Sequence, residues 1–509
     1  SYALLDPDQR AGFRRLAVFL GGFTLDAAQD VLGADLDALD LVEFLVARSL
    51  VVPMASESAH PRFTMVESIR QFGVEELLTT GEDETVRAAH ADWLIRLADH
   101  ATPFLDGPEL GRYLTILNEE MDNYRAAIAW SIQEKDGRRA NRLTGGIWRI
   151  WGSGESRWRP RRSVDEARRE ARSWTEQALA LSEGVPFADV VEAMAGMGLL
   201  MDTVKDLEPK RILMEELLQR SREASLPHGA YWAHFALADI ARARGDWQAA
   251  RAEAEAAIAL APLIRDPDNQ RAGAEIHLAG MFASEGNLEA ARDHYLLALE
   301  YGERAGNPLH LALATLSLAS MHRRLGNAGP SADYALRALD LLAALKDVAR
   351  TRIPYMTLAE LARTAGRRHE AIRFLAHAAS VPSFMNGTEV DDTWLTRFRA
   401  LLPPAGFTSA WEEGTAASPE VMREWAQDFA HSLEATSAPD LLILTVPLLT
   451  PREEDVLRLL VGGRTNRAIG DALFISERTV EKHVLHIMTK LDLDSRTGIV
   501  AWAVRNGVA

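Results

Sequence analysis

The chain has 509 residues, 47% hydrophobic and 25% charged, with a formal charge of -17 and no cysteine. Such a composition is that of folded globular protein, and such a length exceeds one core, so several domains are expected. The lack of cysteine excludes disulfides, thiolate metal sites and cysteine nucleophiles; no run of about 18 apolar residues and no charged-then-apolar leader occurs, so a cytoplasmic protein with no membrane partner is expected.

Charge is unevenly placed. From Leu448 to Ala509 nine Arg or Lys stand against eight Asp or Glu, which leaves -18 on the preceding residues. Phosphate binding depends on local cations rather than on the sum, so the acidic total does not forbid a nucleic-acid partner for the tail.

In chain order, "LLDPDQRAGFRRLAVFLGGFTLDAAQDVLG" predicts a helix, a Gly-Gly-Phe turn and a second helix capped by Thr24. "LDLVEFLVARSLVVPM" predicts a third helix running into a strand, and "SESAH" separates that strand from "RFTMVESIRQFGVEELLTTG". Three helices followed by a small hairpin make a winged-helix pattern over residues 1–80. Its third helix, Leu39 to Arg48, carries Glu43 and only Arg48 as a cation, so DNA binding by this module is not expected. Residues 81–140 read as a helical connector. Within it "LNEEMDN" places Glu119, Glu120 and Asp122 on what reads as a solvated helix face. Further on, Trp148, Trp151, Trp158 and Trp174 stand beside an Arg run, read as packing plus a solvated loop, with a ligand or nucleic-acid site as the alternative.

An internal period follows. Gly245, Gly286, Gly326 and Gly366 recur at intervals of 41, 40 and 40 residues. Eight residues before each stands a Leu-Ala pair: Leu237-Ala238, Leu278-Ala279, Leu318-Ala319 and Leu358-Ala359. Twelve after each stands another alanine, Ala257, Ala298, Ala338 or Ala378. Small residues where two helices approach, a large apolar neighbour, and Gly with Asp or Asn in a tight turn describe paired antiparallel helices. The pattern resembles tetratricopeptide repeats lengthened from about 34 residues to about 40. With degenerate earlier copies near Ser173 and Ile212, the array extends over residues 141–400, an α-solenoid with a concave surface, and residues 401–447 read as a helical linker.

The last segment, 448–509, opens with "LLTPREEDVLRLLVGG": Thr450 as N-cap, Pro451 at the first helical position and Glu453 completing a capping box. "RTNRAIGDALF" predicts a short scaffold helix capped by Thr465, with Ile469 and Leu473 on its buried side. Ser476 starts a third helix whose Val480, Val484, Ile487, Met488 and Leu491 form one stripe at helical period. The opposite face carries Arg478, Lys482, Leu485 and His486, flanked by Thr479 and Glu481. A fourth helix, "SRTGIVAWAVRNG", packs the domain or pairs two copies.

Leu449 to Glu453, Asn466, Ile469, Leu473, Ile475-Ser476, Thr479-Val480, His483, Lys490-Leu491 and Ser495 to Thr497 resemble the LuxR-type helix-turn-helix. The resemblance implies a DNA-binding set of Arg464, Thr465, Asn466, Arg467, Arg478, Thr479, Glu481, Lys482, His483, Leu485 and Lys490. Arg464, Thr465, Asn466 and Lys490 suit phosphate positioning. Glu481 and Leu485 stand where the family usually has basic or polar residues; Glu accepts from cytosine N4 and Leu touches a thymine methyl, so base preference shifts.

The order of winged helix, "LNEEMDNYRAAIAW", repeats and helix-turn-helix is similar to the sensor half of the large ATP-binding LuxR-type regulators, the MalT-like and AfsR-like signal-transducing class. There a nucleotide-binding domain precedes the winged helix. This sequence has no Gly-Lys pair for a phosphate-cradling loop, so no cofactor is expected in it, ATP entering only through an upstream domain. A piece of a longer regulator and a shortened ATP-independent one are the two readings; the missing initiator Met favours the first.

The fold class expected is therefore dominantly α. The expected function is a sequence-specific transcription regulator, an activator by resemblance, binding double-stranded operator DNA as a homo-oligomer. A small-molecule or protein effector acts on the repeats, and RNA polymerase is a partner by resemblance. The alternative is a repeat scaffold that binds protein without DNA readout. No H-E-x-x-H, G-x-S-x-G or metal-ligand spacing occurs, so no enzyme is expected.

Overall fold

The computed structural model describes residues 2–58, 60–105, 107–152, 164–203, 205–345, 347–381, 390–435, 451–461, 464–473, 476–491 and 499. Its helices are α1 Pro7–Leu16, α2 Leu25–Leu32, α3 Ala38–Ala47, α4 Glu67–Thr80, α5 Asp83–Ala101, α6 Leu110–Glu119, α7 Met121–Gln133 and α8 Gly137–Gly152. There follow α9 Val164–Leu179, α10 Phe187–Leu200, α11 Leu207–Glu223, α12 Pro227–Ala243, α13 Trp247–Leu260, α14 Pro267–Glu285, α15 Leu288–Ala305, α16 Pro308–Arg324 and α17 Ala328–Ala344. Last come α18 Arg352–Thr364, α19 Arg368–Ser380, α20 Asp392–Arg399, α21 Pro404–Ala416, α22 Pro419–Ala435, α23 Pro451–Val461, α24 Asn466–Leu473 and α25 Glu477–Leu491. Two strands, β1 Val52–Met54 and β2 Arg62–Thr64, and short 3-10 helices at Tyr2–Leu4, Thr102–Phe104, Ala261–Leu263 and Ala349–Thr351 complete the described secondary structure. Two compact units emerge, residues 1–314 with 341–347 and residues 315–340 with 348–509. Among the described residues no helix is long and apolar enough to cross a membrane.

In the first unit α1 to α3 surround a core of Phe13, Leu16, Phe23, Leu32 and Leu45, each essentially without exposure. Each helix has a side-chain cap that satisfies an orphan amide: Asp6 for α1, Thr24 for α2 and Asp37 for α3. Strand β1 pairs antiparallel with β2 in the register Val52 to Thr64, and Phe23 bridges to Phe63 on the far side through hydrogen bonds of 2.8 and 2.9 Å. Gly22, at φ +79°, supplies the left-handed turn that brings Phe23 there; a Cβ at that position would lie 2.8 Å from the Phe63 carbonyl oxygen.

The periodic glycines are helix C-caps with one shared geometry. Gly245, Gly286, Gly326 and Gly366 have φ between +74° and +87°. At each, the glycine N–H donates three residues back and the next N–H five residues back, as in Asp246 N to Ala241 O (3.0 Å) and Arg367 N to Ala362 O (2.8 Å). This is the double bond set of a Schellman motif, which satisfies carbonyls the helix leaves open. The following Asp246 or Asn287 then caps the next helix, accepting from Ala249 N at 3.0 Å and Ala290 N at 3.2 Å. One dipeptide thus ends one helix and starts its partner. All the predicted alanines of the pattern are buried, as are Leu278, Leu318 and Leu358, while Leu237 is half-buried.

A polar pair lies in the seam of each of two consecutive hairpins. His234 on α12 meets Glu253 on α13, Nδ1 to Oε2 at 2.5 Å; one repeat on, the residue types are exchanged, with Glu275 on α14 against His294 on α15 at 2.7 Å. Trp148 is buried, stacks edge to face with Trp232 and donates to Glu192 Oε2 at 3.1 Å, so it packs. Trp174 packs half-buried on the core, and the side chains of Trp151 and Trp158 lie outside the described residues. The second unit has its own core around Phe374, Phe398, Met422 and Phe429.

Candidate nucleic-acid interface

Helices α23, α24 and α25 enclose a small core of Val456, Leu457, Leu460, Ile469, Val480, Val484, Ile487 and Ile499. Burying each large aliphatic side chain contributes on the order of 1.5 to 3 kcal/mol, which is what holds so short a set of helices together. Buried Gly470 on α24 leaves room for a close crossing. Thr465 caps α24, its Oγ1 accepting from Ala468 N at 3.3 Å. Ser476 caps α25, its Oγ accepting from Thr479 N at 3.1 Å. The sequence places Glu453 in a capping box with Thr450; Glu453 is buried, and Thr450 lies outside the described residues.

The burial pattern fixes how α25 is rotated. Val480, Val484 and Ile487 face inward with Met488 half-buried, which leaves Glu477, Thr479, Glu481 and Lys482 exposed along the first turns. Arg464, Thr465 and Arg467 are exposed at the start of α24, and Asn466 is half-buried. His483 is half-buried, with its Nδ1 enclosed and without a hydrogen-bond partner, which suits packing better than base contact. The side chains of Arg478, Leu485, His486 and Lys490 lie outside the described residues, as does the fourth helix apart from buried Ile499. A short helix bracing a second, whose apolar stripe is inward and whose N-terminal turns are polar and open, is the arrangement that lets a helix enter a major groove.

The first helix-turn-helix is built differently. Its third helix, α3, shows no comparable cationic face: Arg48, just past its end, lies over the Phe44 ring at 3.5 Å and donates to the Phe44 carbonyl at 3.3 Å. Its wing is clamped. Arg62 of β2 is buried in an ion pair with Glu120 and donates to Gly21 O at 3.1 Å. Asn123 accepts from Leu20 N and Gly21 N and donates to Gly22 O and Glu120 Oε2. Glu119 accepts from Ser56 Oγ, Glu57 N, Ser58 N and Ser58 Oγ at the tip of the hairpin. Those bonds hold the Glu119 carboxyl below its ordinary value against the opposing effect of burial, whereas for Glu120 burial outweighs Arg62 and pushes it up.

The solvated face expected for "LNEEMDN" is thus corrected. Glu120 is 2% exposed and Glu119 grips the wing, while Asp122 pairs with Arg125 at 2.7 Å. The cause is tertiary: paired acids read as surface until a partner 58 residues away in sequence is brought alongside. The signal in the sequence was Asn123, a side chain able to accept and donate at once, beside two acids.

Residues 447–503 match the family "Bacterial regulatory proteins, luxR family", and residues 5–78 match "Winged helix-turn-helix domain". The chain is a transcriptional regulator with a LuxR-type DNA-binding domain at its C-terminal end, a winged helix at its start and a dominantly helical fold between. Rv0890c of Mycobacterium tuberculosis, whose name describes an HTH-type transcriptional regulator, is 26% identical over 673 aligned positions that take in all of this chain and 74% of the relative. The transcriptional regulatory protein DegU of Brevibacillus brevis is 47% identical over 60 residues, 12% of this chain and 25% of that protein. Among solved structures, the STAND protein with a tetratricopeptide repeat sensor, PH0952 of Pyrococcus horikoshii, matches 85% of this chain with TM-score 0.45 and 13% identity. The chain spans 64% of that protein's length.

Proposed function

We propose that α25 enters the major groove of an operator, with Arg478, Thr479, Glu481, Lys482 and Leu485 at base edges. Arg464, Thr465, Asn466, Arg467, His483 and Lys490 then lie toward the phosphates, where they fix register rather than sequence. The observation that carries this reading is the exposed Thr479, Glu481 and Lys482 set opposite buried Val480, Val484 and Ile487. The DNA step needs no cofactor in this reading. The repeats receive a small effector or a protein and control self-association, so that two copies on adjacent half-sites gain affinity by avidity and contact RNA polymerase as an activator.

Fluorescence anisotropy on an operator selected from random duplex DNA tests the docking. Alanine at Arg478 and Lys482 together is expected to weaken binding by about 2 to 6 kcal/mol, taking roughly 1 to 3 for each. Wild-type affinity must also fall steeply with salt. An unchanged affinity in the double variant removes α25 from the reading role, and a flat salt response points to the scaffold alternative.

A further inference from the structure

Several helices of this chain start in one local arrangement, and α25 departs from it. A side-chain oxygen at the start accepts the amide three residues on: Thr24 from Ala27, Asp246 from Ala249, Asn287 from Ala290 and Thr465 from Ala468. In each of these four the third residue is alanine, whose side chain offers the cap nothing. In α25 it is Thr479. Ser476 Oγ accepts from Thr479 N at 3.1 Å and also lies 2.7 Å from Thr479 Oγ1, and both residues are exposed.

A threonine inside a helix commonly gives its hydroxyl proton to the carbonyl four residues back, as Thr115 does to Gly111 at 2.9 Å, Thr144 to Ala140 at 2.9 Å and Thr175 to Ala171 at 2.8 Å. Thr479 stands in the first turn of α25, and its hydroxyl bonds to Ser476 instead. Two hydroxyls carry two protons and the bond between them uses one, so one proton is left for an outside acceptor. Ser476 Oγ already accepts an amide. The run in which each bond strengthens the next therefore goes from Thr479 N to Ser476 Oγ, from the Ser476 hydroxyl to Thr479 Oγ1, and from the Thr479 hydroxyl outward. The β-branched threonine side chain is stiff about its first torsion, which keeps that direction fixed.

We propose that Ser476, besides capping α25, is a positioning residue that makes Thr479 a fixed hydrogen-bond donor to a base-edge acceptor in the major groove: N7 or O6 of guanine, N7 of adenine or O4 of thymine. This deepens the docking of α25 described above and rests on it. The cap and the reading side chain are one hydrogen-bonded unit, so the serine influences sequence choice without touching a base.

Fluorescence anisotropy with the full chain tests it, on the selected operator, on operators with each base pair replaced in turn, and on an unrelated duplex. Thr479→Val is expected to raise the operator Kd about fivefold and Ser476→Gly about threefold. The double variant is expected to bind like Thr479→Val alone, and Ser476→Thr, which keeps the hydroxyl, like the wild type. Glycine starts a helix almost as well as serine, and a helix that merely frayed would lose affinity in either background, so the coupling separates positioning from capping. Discrimination at one base pair is expected to collapse in Thr479→Val. Effects of the two substitutions that multiply, a Ser476→Thr variant as weak as Ser476→Gly, or an equal loss on operator and unrelated duplex, the mark of a phosphate contact, overturns the assignment. The docking of α25 itself is judged separately, by the double alanine variant of Arg478 and Lys482.

Discussion

The two helix-turn-helix modules of this chain share an architecture and differ in what their third helices leave open. In the LuxR-type module α25 turns an apolar stripe inward and offers Thr479, Glu481 and Lys482 outward. In the winged helix, α3 ends on an Arg48 folded back over Phe44, and the wing that would follow a groove is occupied by Glu119 and Glu120, while Asn123 holds the Gly21-Gly22 turn beside it. The scaffold is thus neutral as to task, and the exposed side chains of one helix together with the freedom of the wing decide it.

The largest expected effect breaks the clamp. Glu120→Ala leaves the Arg62 guanidinium buried without its counter-ion, a loss of about 3 to 5 kcal/mol. Hydrogen exchange should show the amides of residues 52–64 opening first, while those of α24 and α25 keep their protection. Next, Lys482→Ala is expected to cost about 1 to 3 kcal/mol of operator binding. Arg48→Ala should leave anisotropy titrations unchanged; if the two lose affinity equally, the functional contrast between the modules is wrong.

Acidification separates the modules by stability. His90, buried against Phe19 and Trp93, is lowered to about 3, first by burial and then by Arg87. A histidine neutral in the fold but protonated when unfolded gives stability that is full above its unfolded pKa of about 6.5 and drains as pH falls toward the folded value. At pH 5 the loss is about 2 kcal/mol by this one group. Melts from pH 7 to 5 should show the low-pH loss where α5 packs on Phe19 of the winged helix, and His90→Gln should flatten it.

The smallest effects lie at the caps. Thr24→Ala and Ser476→Ala each remove one amide partner at the start of a helix and should cost about 1 kcal/mol of stability. Only the second is expected to move operator affinity as well, measurable as a small rise in Kd.

The repeat turns were plain in the sequence because a left-handed glycine closing a helix is a local requirement, met within six residues at Gly245, Gly286, Gly326 and Gly366, with Asp246 and Asn287 also capping the helix that follows. The inward stripe of α25 was equally plain, because helical period alone puts Val480, Val484 and Ile487 on one side. The wing clamp was not, since nothing local distinguishes a buried Glu120 from a solvated one before Arg62 is beside it. At the DNA module, period gives the exposed face but not the partner base of any side chain on it, because that depends on docking angle as much as on residue type.

The exchanged couples His234 with Glu253 and Glu275 with His294 set the grain at which the array can be rearranged. Swapping whole hairpins keeps each imidazole opposite a carboxylate. Joining the front helix of one repeat to the back helix of the next would oppose imidazole to imidazole or carboxylate to carboxylate, so duplication or recombination between these two copies succeeds only in two-helix steps.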